Sequence, residues 1–129
     1  MTDPIADLLT RIRNAYLARH QTIVLPYSKL KENLVKVLIK NNYLQGYQKT
    51  GIKPKLNLSL DLKYNRRQPA ITEIIRYSKP GVRHYSSVFG LNKLIKRRGS
   101  AILSTSSGLM TAKEAKKLKL GGEIICFVK

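Results

Sequence analysis

Apolar positions in this chain recur with two different periods, and the switches between them mark out the elements. Ile5, Leu8, Leu9, Ile12 and Tyr16 fall three or four apart, the spacing of one helix face. Asp3 is placed to cap that helix and Pro4 suits its first turn. Thr22 to Leu25 is a short β-branched run ended by Pro26, which reads as a strand. Ser28 caps a second helix with Leu30, Leu34, Val37 and Leu38 on one side and Lys29, Lys31, Lys36 and Lys40 elsewhere. Asn41-Asn42 breaks it. Leu44 to Thr50 and Lys55 to Tyr64 then read as two strands joined through Gly51 and Pro54. In the second, Leu56, Leu58, Leu60, Leu62 and Tyr64 alternate with polar residues, so one face is buried and the other wet. This α-β-α-β-β order predicts helices packed on one face of a small sheet.

Asn65-Arg66-Arg67-Gln68-Pro69 is polar, doubly basic and ended by proline, and is the best candidate boundary. It divides the chain into an N-terminal α/β domain, residues 1–64, and a C-terminal β-rich domain, residues 65–129. Beyond it, Ile71 to Tyr77 and Val82 to Ser86 read as strands around a Ser78-Lys79-Pro80-Gly81 turn. Leu91 to Lys96 has the pattern of a short helical turn, followed by the basic run Lys96-Arg97-Arg98. An apolar strand, Ala101 to Leu103, leads into the hydroxyl run Ser104, Thr105, Ser106 and Ser107, and Gly108 turns the chain. Thr111 and Glu114 form a capping box for a short basic helix. Gly121 and Gly122 end it, and Glu123 opens a last strand, Ile-Ile-Cys-Phe-Val. The expected class is α+β: two small packed α/β domains, the second mostly β with one short helix.

Composition narrows the partners more than the fold. With 129 residues and 43% apolar content the chain has enough to bury for a folded core. It contains no apolar run near the roughly 20 residues that cross a bilayer, and its opening, with Asp3 and Asp7, does not read as a signal peptide. Cys126 is the only cysteine and sits in an apolar strand, where a small buried side chain is the plain reading. Twenty-five Lys and Arg against seven Asp and Glu leave a net charge of +18, shared as +7 over residues 1–64 and +11 over residues 65–129. Such a body needs an anionic partner, and a nucleic acid is the first candidate. No basic amphipathic helix with a bulky aromatic face points to a membrane surface.

Catalysis finds little support. The seven acids are scattered, His20 and His84 lack neighbours at metal-ligand spacing, and neither a Gly-x-Ser-x-Gly elbow nor a phosphate-cradling glycine pattern is present. No catalytic residue, metal or cofactor is expected. Contact with RNA is better founded. Short hydroxyls donate and accept, so Ser104 to Ser107 can meet base edges, ribose and phosphate, although the same residues can simply satisfy a turn. Tyr85, which follows Arg83 and His84, suits stacking on an unpaired base or equally a place in the core or on a sheet face. Glu123, beside Gly122, is suited to buttress the hydroxyl loop or to accept from a base amino group. Arg11, Arg13 and Asn14 stand off the first helix's apolar stripe, on a contact face or a solvated one. Two other classes stay open: a small RNA-modifying or cleaving enzyme using His84 or Cys126, and a binder of messenger RNA alone.

Several separated motifs follow one another along the chain: Asp3-Pro4-Ile5-Ala6-Asp7 with Leu9-Thr10-Arg11-Ile12-Arg13-Asn14-Ala15, then Ser28-Lys29-Leu30-Lys31 and Ser78-Lys79-Pro80-Gly81. The Ser-Thr-Ser loop with Gly-Leu-Met-Thr and the ending Gly-Gly-Glu-Ile-Ile-Cys-Phe-Val complete the set. Together and in this order they resemble the bacterial-type small-subunit ribosomal protein eight family, and the resemblance spans essentially the whole chain. It implies a structural constituent of the small ribosomal subunit, a monomer there, that binds an irregular helix in the central domain of the ribosomal RNA and supports assembly. It also implies neighbouring small-subunit proteins as partners and, in bacteria, a similar hairpin on the protein's own messenger.

By resemblance the hydroxyl loop falls on Ser104, Thr105 and Ser106, the stacking aromatic on Tyr85 and the supporting acid on Glu123. Gly122, Arg83, Arg97 and Ser107 lie with them, and Asp3, Asn14, Lys29 and Lys31 match N-terminal motifs near RNA. Three departures remove charge or a glycine: Ser107 where a lysine is usual, Ser86-Ser87 for a basic pair, and Ser100 for the second glycine of a Gly-x-Gly. Lys96, Arg97 and Arg98 stand ready to compensate. Sixteen lysines against nine arginines and seven alanines fit an AT-rich coding genome. The expected setting is therefore a plastid (chloroplast) ribosome, with a bacterial cytoplasm or a mitochondrion as alternatives. The lack of a presequence fits synthesis inside that compartment, or a mature form.

Overall fold

A computed structural model describes residues 3–129, which form two compact units, the first ending at Ile71 and the second running from Thr72 to Lys129. In the first unit, α1 (Pro4–Leu17) starts where expected: the Asp3 carboxylate accepts from the Ala6 amide at 3.2 Å and Pro4 opens the first turn. Strand β1 (Thr22–Pro26) leads to α2 (Lys29–Lys40), capped by Ser28, whose hydroxyl accepts from the Lys31 amide at 3.1 Å. The hairpin β2 (Leu44–Ile52) and β3 (Lys55–Leu62) completes an antiparallel sheet in the order β1-β3-β2. Helix α1 touches α2 and β1, and α2 touches β2. The core between them holds Leu8, Ile12, Leu34, Leu38, Leu58 and Leu60, all fully buried, each contributing roughly 1.5–3 kcal/mol.

Helix α2 departs from its expected face. Leu30 is exposed, whereas Lys31 and Glu32 are buried. Period alone would seat a leucine inward, but paired charges can take its place (below). The stretch Asn65–Pro69, read as a candidate boundary, is itself structured. It is a tight hairpin of β4 (Tyr64–Asn65) and β5 (Gln68–Pro69), with Arg66 and Arg67 at positive φ at its turn. The Arg67 carbonyl accepts from the Arg19 guanidinium and the Lys63 carbonyl from the Ala70 amide, so the hairpin belongs to the first unit.

The second unit is built on β10 (Gly122–Val128). The remaining elements are β6 (Ile74–Arg76), β7 (Tyr85–Ser86), a 3-10 turn over Val88–Gly90, α3 (Leu91–Lys96), β8 (Ser100–Thr105), β9 (Gly108–Thr111) and α4 (Ala112–Lys117). The sheet order is β6-β10-β8-β9, with β7 also pairing β10, and every pairing is antiparallel. Helices α3 and α4 pack on each other and on β8, around a core of Leu91, Ala101, Leu103, Met110, Ala115 and Phe127. The class is α+β, with two short helices in this unit where one was expected.

Two expected strands are shorter. The ladder of β6 passes beyond its end through Glu73 and Lys129, which exchange backbone bonds at 3.0 and 3.2 Å. The Val82–Ser86 strand shrinks to Tyr85–Ser86 because Lys79 and Val82 close a turn about Pro80-Gly81. The buried Ser78 hydroxyl then takes the place of a strand partner, accepting from the His84 amide at 3.0 Å and donating to the His84 carbonyl at 3.3 Å.

Candidate nucleic-acid interface

The register of β10 brings together residues far apart in sequence. Glu123 stands opposite Tyr85 of β7 on one side and opposite Ser104 of β8 on the other. Directly opposed residues of an antiparallel ladder project from the same face. Tyr85, Glu123 and Ser104 therefore form one row across three strands, roughly 10 Å end to end at the usual strand spacing. Leu109 of β9, opposite Ser104, continues it. Tyr85 is 71% exposed, which settles its orientation in favour of a solvent-facing ring over a core one.

The expected hydroxyl loop is the end of a hairpin. Ser104 and Thr105 belong to β8, Ser106 and Ser107 make the turn, and β9 begins at Gly108, whose φ of 108° lets the chain reverse. The Thr105 hydroxyl is committed to that turn: it donates to the Gly108 carbonyl at 2.8 Å and accepts from the Ser107 amide at 3.2 Å. Ser106 and Ser107 point into solvent beyond it. Thr105 thus shapes the hairpin, and its neighbours present the hydroxyls.

Glu123 does not buttress the hydroxyls. Its carboxylate accepts from the Arg83 guanidinium at 3.0 Å, with Glu123 mostly covered and Arg83 half exposed. The acid therefore orients a cation beside Tyr85. Gly122, opposite Ser86, permits the close approach of the strands: a Cβ there would lie 2.2 Å from the Ser104 carbonyl oxygen, and one on Gly121 2.5 Å from that of Ser86.

Arg97 lies in the same unit, but its guanidinium sits 4.5 Å from the Phe127 ring centroid and donates to the Tyr77 hydroxyl, so it is held on an aromatic pair. The other expected residues belong to the first unit. Asp3 caps α1. Asn14 is exposed and lines an open groove of about 430 Å³ with Arg11, His20 and Val24. Lys29 reaches into solvent, 73% exposed and 4.0 Å from Glu32. Lys31 is no surface cation. It is buried, donating to the Asp7 carboxylate at 3.0 Å and to the Pro26 carbonyl at 3.3 Å. Bonds from Arg11 and Lys31 hold the Asp7 carboxyl below its usual range.

Sequence reasoning passed over the buried cluster on Glu32. Burial would raise its carboxyl, but bonds from the Tyr47 hydroxyl at 2.8 Å, the Lys49 ammonium at 3.1 Å and the Tyr27 hydroxyl at 3.0 Å override it and lower the pKa to about 2. The only signal was an acid three residues before Val35 and seven before Ile39, positions that share a helix side. The nucleophile considered at Cys126 is inaccessible: burial pushes its thiol up to about 12. Among the described residues no cluster of His, Cys, Asp or Glu could hold a metal ion, and no helix is long and apolar enough to cross a membrane.

Comparison with known proteins bears on the whole chain. The model of the family Ribosomal protein S8 matches residues 3–128. The chain is 47% identical over 128 residues to the small ribosomal subunit protein uS8 of Trichormus variabilis, covering 98% of this chain and 96% of that one. It is 44% identical over 128 residues to the uS8 of Dictyoglomus turgidum, covering 99% and 98%. The uS8 of Clostridium novyi is 45% identical over 130 residues, with the same coverage.

Proposed function

Because the chain belongs to the ribosomal protein S8 family, a structural and non-enzymatic one, we propose that it is a constituent of the small ribosomal subunit and binds that subunit's RNA directly. The observation that carries this reading is the row Tyr85–Glu123–Ser104 across β7, β10 and β8, beside a hairpin end of free hydroxyls. A flat exposed ring can stack on a displaced base, while Ser104, Ser106 and Ser107 reach ribose and phosphate at the irregular minor groove of an RNA helix. Arg83, oriented by Glu123, adds a fixed cation. The +18 charge supplies capture, and the row supplies selection. The target is an irregular helix in the central domain of the small-subunit RNA, and the act supports assembly and translation.

In the same reading the second unit is the principal RNA-binding domain, and Asn14 and Lys29 of the first unit add a contact. Neighbouring small-subunit proteins are further partners, and a similar hairpin on the protein's own messenger is a second RNA target. The lysine-rich, alanine-poor composition supports a plastid ribosome; the relatives matched above are bacterial, which keeps the bacterial cytoplasm beside it.

The test is a salt titration of binding to naked small-subunit ribosomal RNA, with a random RNA of equal length as competitor. A large preference that survives rising salt is expected. Equal and steeply salt-sensitive affinity for both would mean that charge alone drives binding, and the reading would fall.

A further inference from the structure

Phe89 is 90% exposed, more than any other large apolar side chain among the described residues. It does not sit on a loose segment. The Gly90 amide donates to the Ser87 carbonyl at 3.1 Å and to the Ser87 hydroxyl at 3.3 Å, and the Ser86 hydroxyl donates to the Ser87 carbonyl at 3.0 Å. The backbone of Gly121 lies against Ser86 and Ser87 so closely that no side chain fits at 121. On the far side Leu91 is fully buried in the core. The ring is therefore held outward between two fixed points, four residues after Tyr85 and on the segment that begins in β7.

The charge of the segment that carries it points to the partner, the acid opposite Tyr85, Glu123, being paired with Arg83. From residue 74 to residue 113 the chain carries eight Lys and Arg and no Asp or Glu. An apolar ring presented in an acid-free, strongly cationic segment fits a partner that is anionic yet has flat apolar faces, and a nucleobase in RNA has both properties. Phenylalanine has no hydrogen-bonding group, so it can stack on a base but cannot read its edge.

We propose that Phe89 is a second stacking platform, which takes an unpaired base of the RNA bound at the Tyr85 row. The inference rests on the RNA-binding function proposed above. Stacking displaces few counterions, so the contact adds affinity without steepening the salt dependence.

The experiment measures affinity of the full chain for naked small-subunit ribosomal RNA at several salt concentrations. Phe89→Ala is expected to weaken binding roughly tenfold, within the range for loss of one base stack, with the salt slope and melting temperature unchanged. Phe89→Trp is expected to restore affinity. As the chain's single tryptophan, it should also lose fluorescence when RNA binds. Phe89→Leu is expected to behave like alanine. If Phe89→Ala binds as tightly as wild type while wild type still prefers ribosomal over random RNA, the inference is overturned. Full affinity in Phe89→Leu would overturn it too, because a greasy contact would then suffice. Failure of the parent reading shows instead in the wild-type arm, as loss of preference for ribosomal RNA, and takes the inference with it.

Discussion

Gly122 and Ser104 approach so closely that a Cβ at 122 would lie 2.2 Å from the Ser104 carbonyl oxygen. The atom in the way is backbone, which cannot swing aside, so the spacing of β8 and β10 depends on glycine here. Gly122→Ala should cost about 1–3 kcal/mol, as overpacking does, and should displace Ser104 from Glu123. A fall in melting temperature together with loss of preference for ribosomal RNA is expected. A variant retaining both would show that the strands separate without consequence.

The Arg83–Glu123 pair bears on recognition more than on stability. Arg83 is half exposed, and pairs of that kind contribute about 0–1 kcal/mol. Arg83→Ala and Glu123→Gln should each leave the melting temperature nearly unchanged and weaken RNA binding. If Glu123 acts by orienting Arg83, the double variant should bind no worse than Arg83→Ala alone. Strict additivity in this cycle would mean that the acid contacts RNA independently.

Lys29 and Lys31, two residues apart, should give opposite results. Lys31→Ala removes a buried ammonium from Asp7 and Pro26 and should lower stability by about 2 kcal/mol, reduced from a fully buried pair because Asp7 is partly exposed. The salt slope of RNA binding should not change. Lys29→Ala should leave stability intact and lower that slope by about one. A slope change in Lys31→Ala would mean that its ammonium leaves Asp7 for phosphate.

Acid should loosen the first unit through Glu32. Its carboxyl is lowered in the folded chain to about 2 from an ordinary 4.5, so the unfolded chain takes up the proton first as pH falls. The stabilisation is complete above about 4.5 and is lost as pH drops toward 2. Denaturant unfolding measured across that window should show the loss, and Glu32→Gln should flatten it while lowering stability at neutral pH. An unchanged acid slope in Glu32→Gln would place the titration elsewhere.

Much of this protein was written in local pattern. The caps at Asp3, Ser28 and Thr111, the apolar stripe of α1 and the alternation of β3 each involve residues within a few positions of one another. Short-range hydrogen bonds and periodicity are enough to specify them. The family motifs, likewise continuous, were readable from Asp3 to the Gly-Gly-Glu ending, and so was the charge that demands an anionic partner. Tertiary structure decided what required distant strands to meet. It set Glu123 between Tyr85 and Ser104, turned that acid toward Arg83, and committed Thr105 to its own turn. It drew Lys31 inward to Asp7 and gathered two tyrosines and Lys49 on Glu32. A charged side chain can be buried only if partners arrive from other elements, and its own neighbours in sequence carry no record of them. The same holds for exposure: packing covers Leu91 and leaves the Phe89 ring in water.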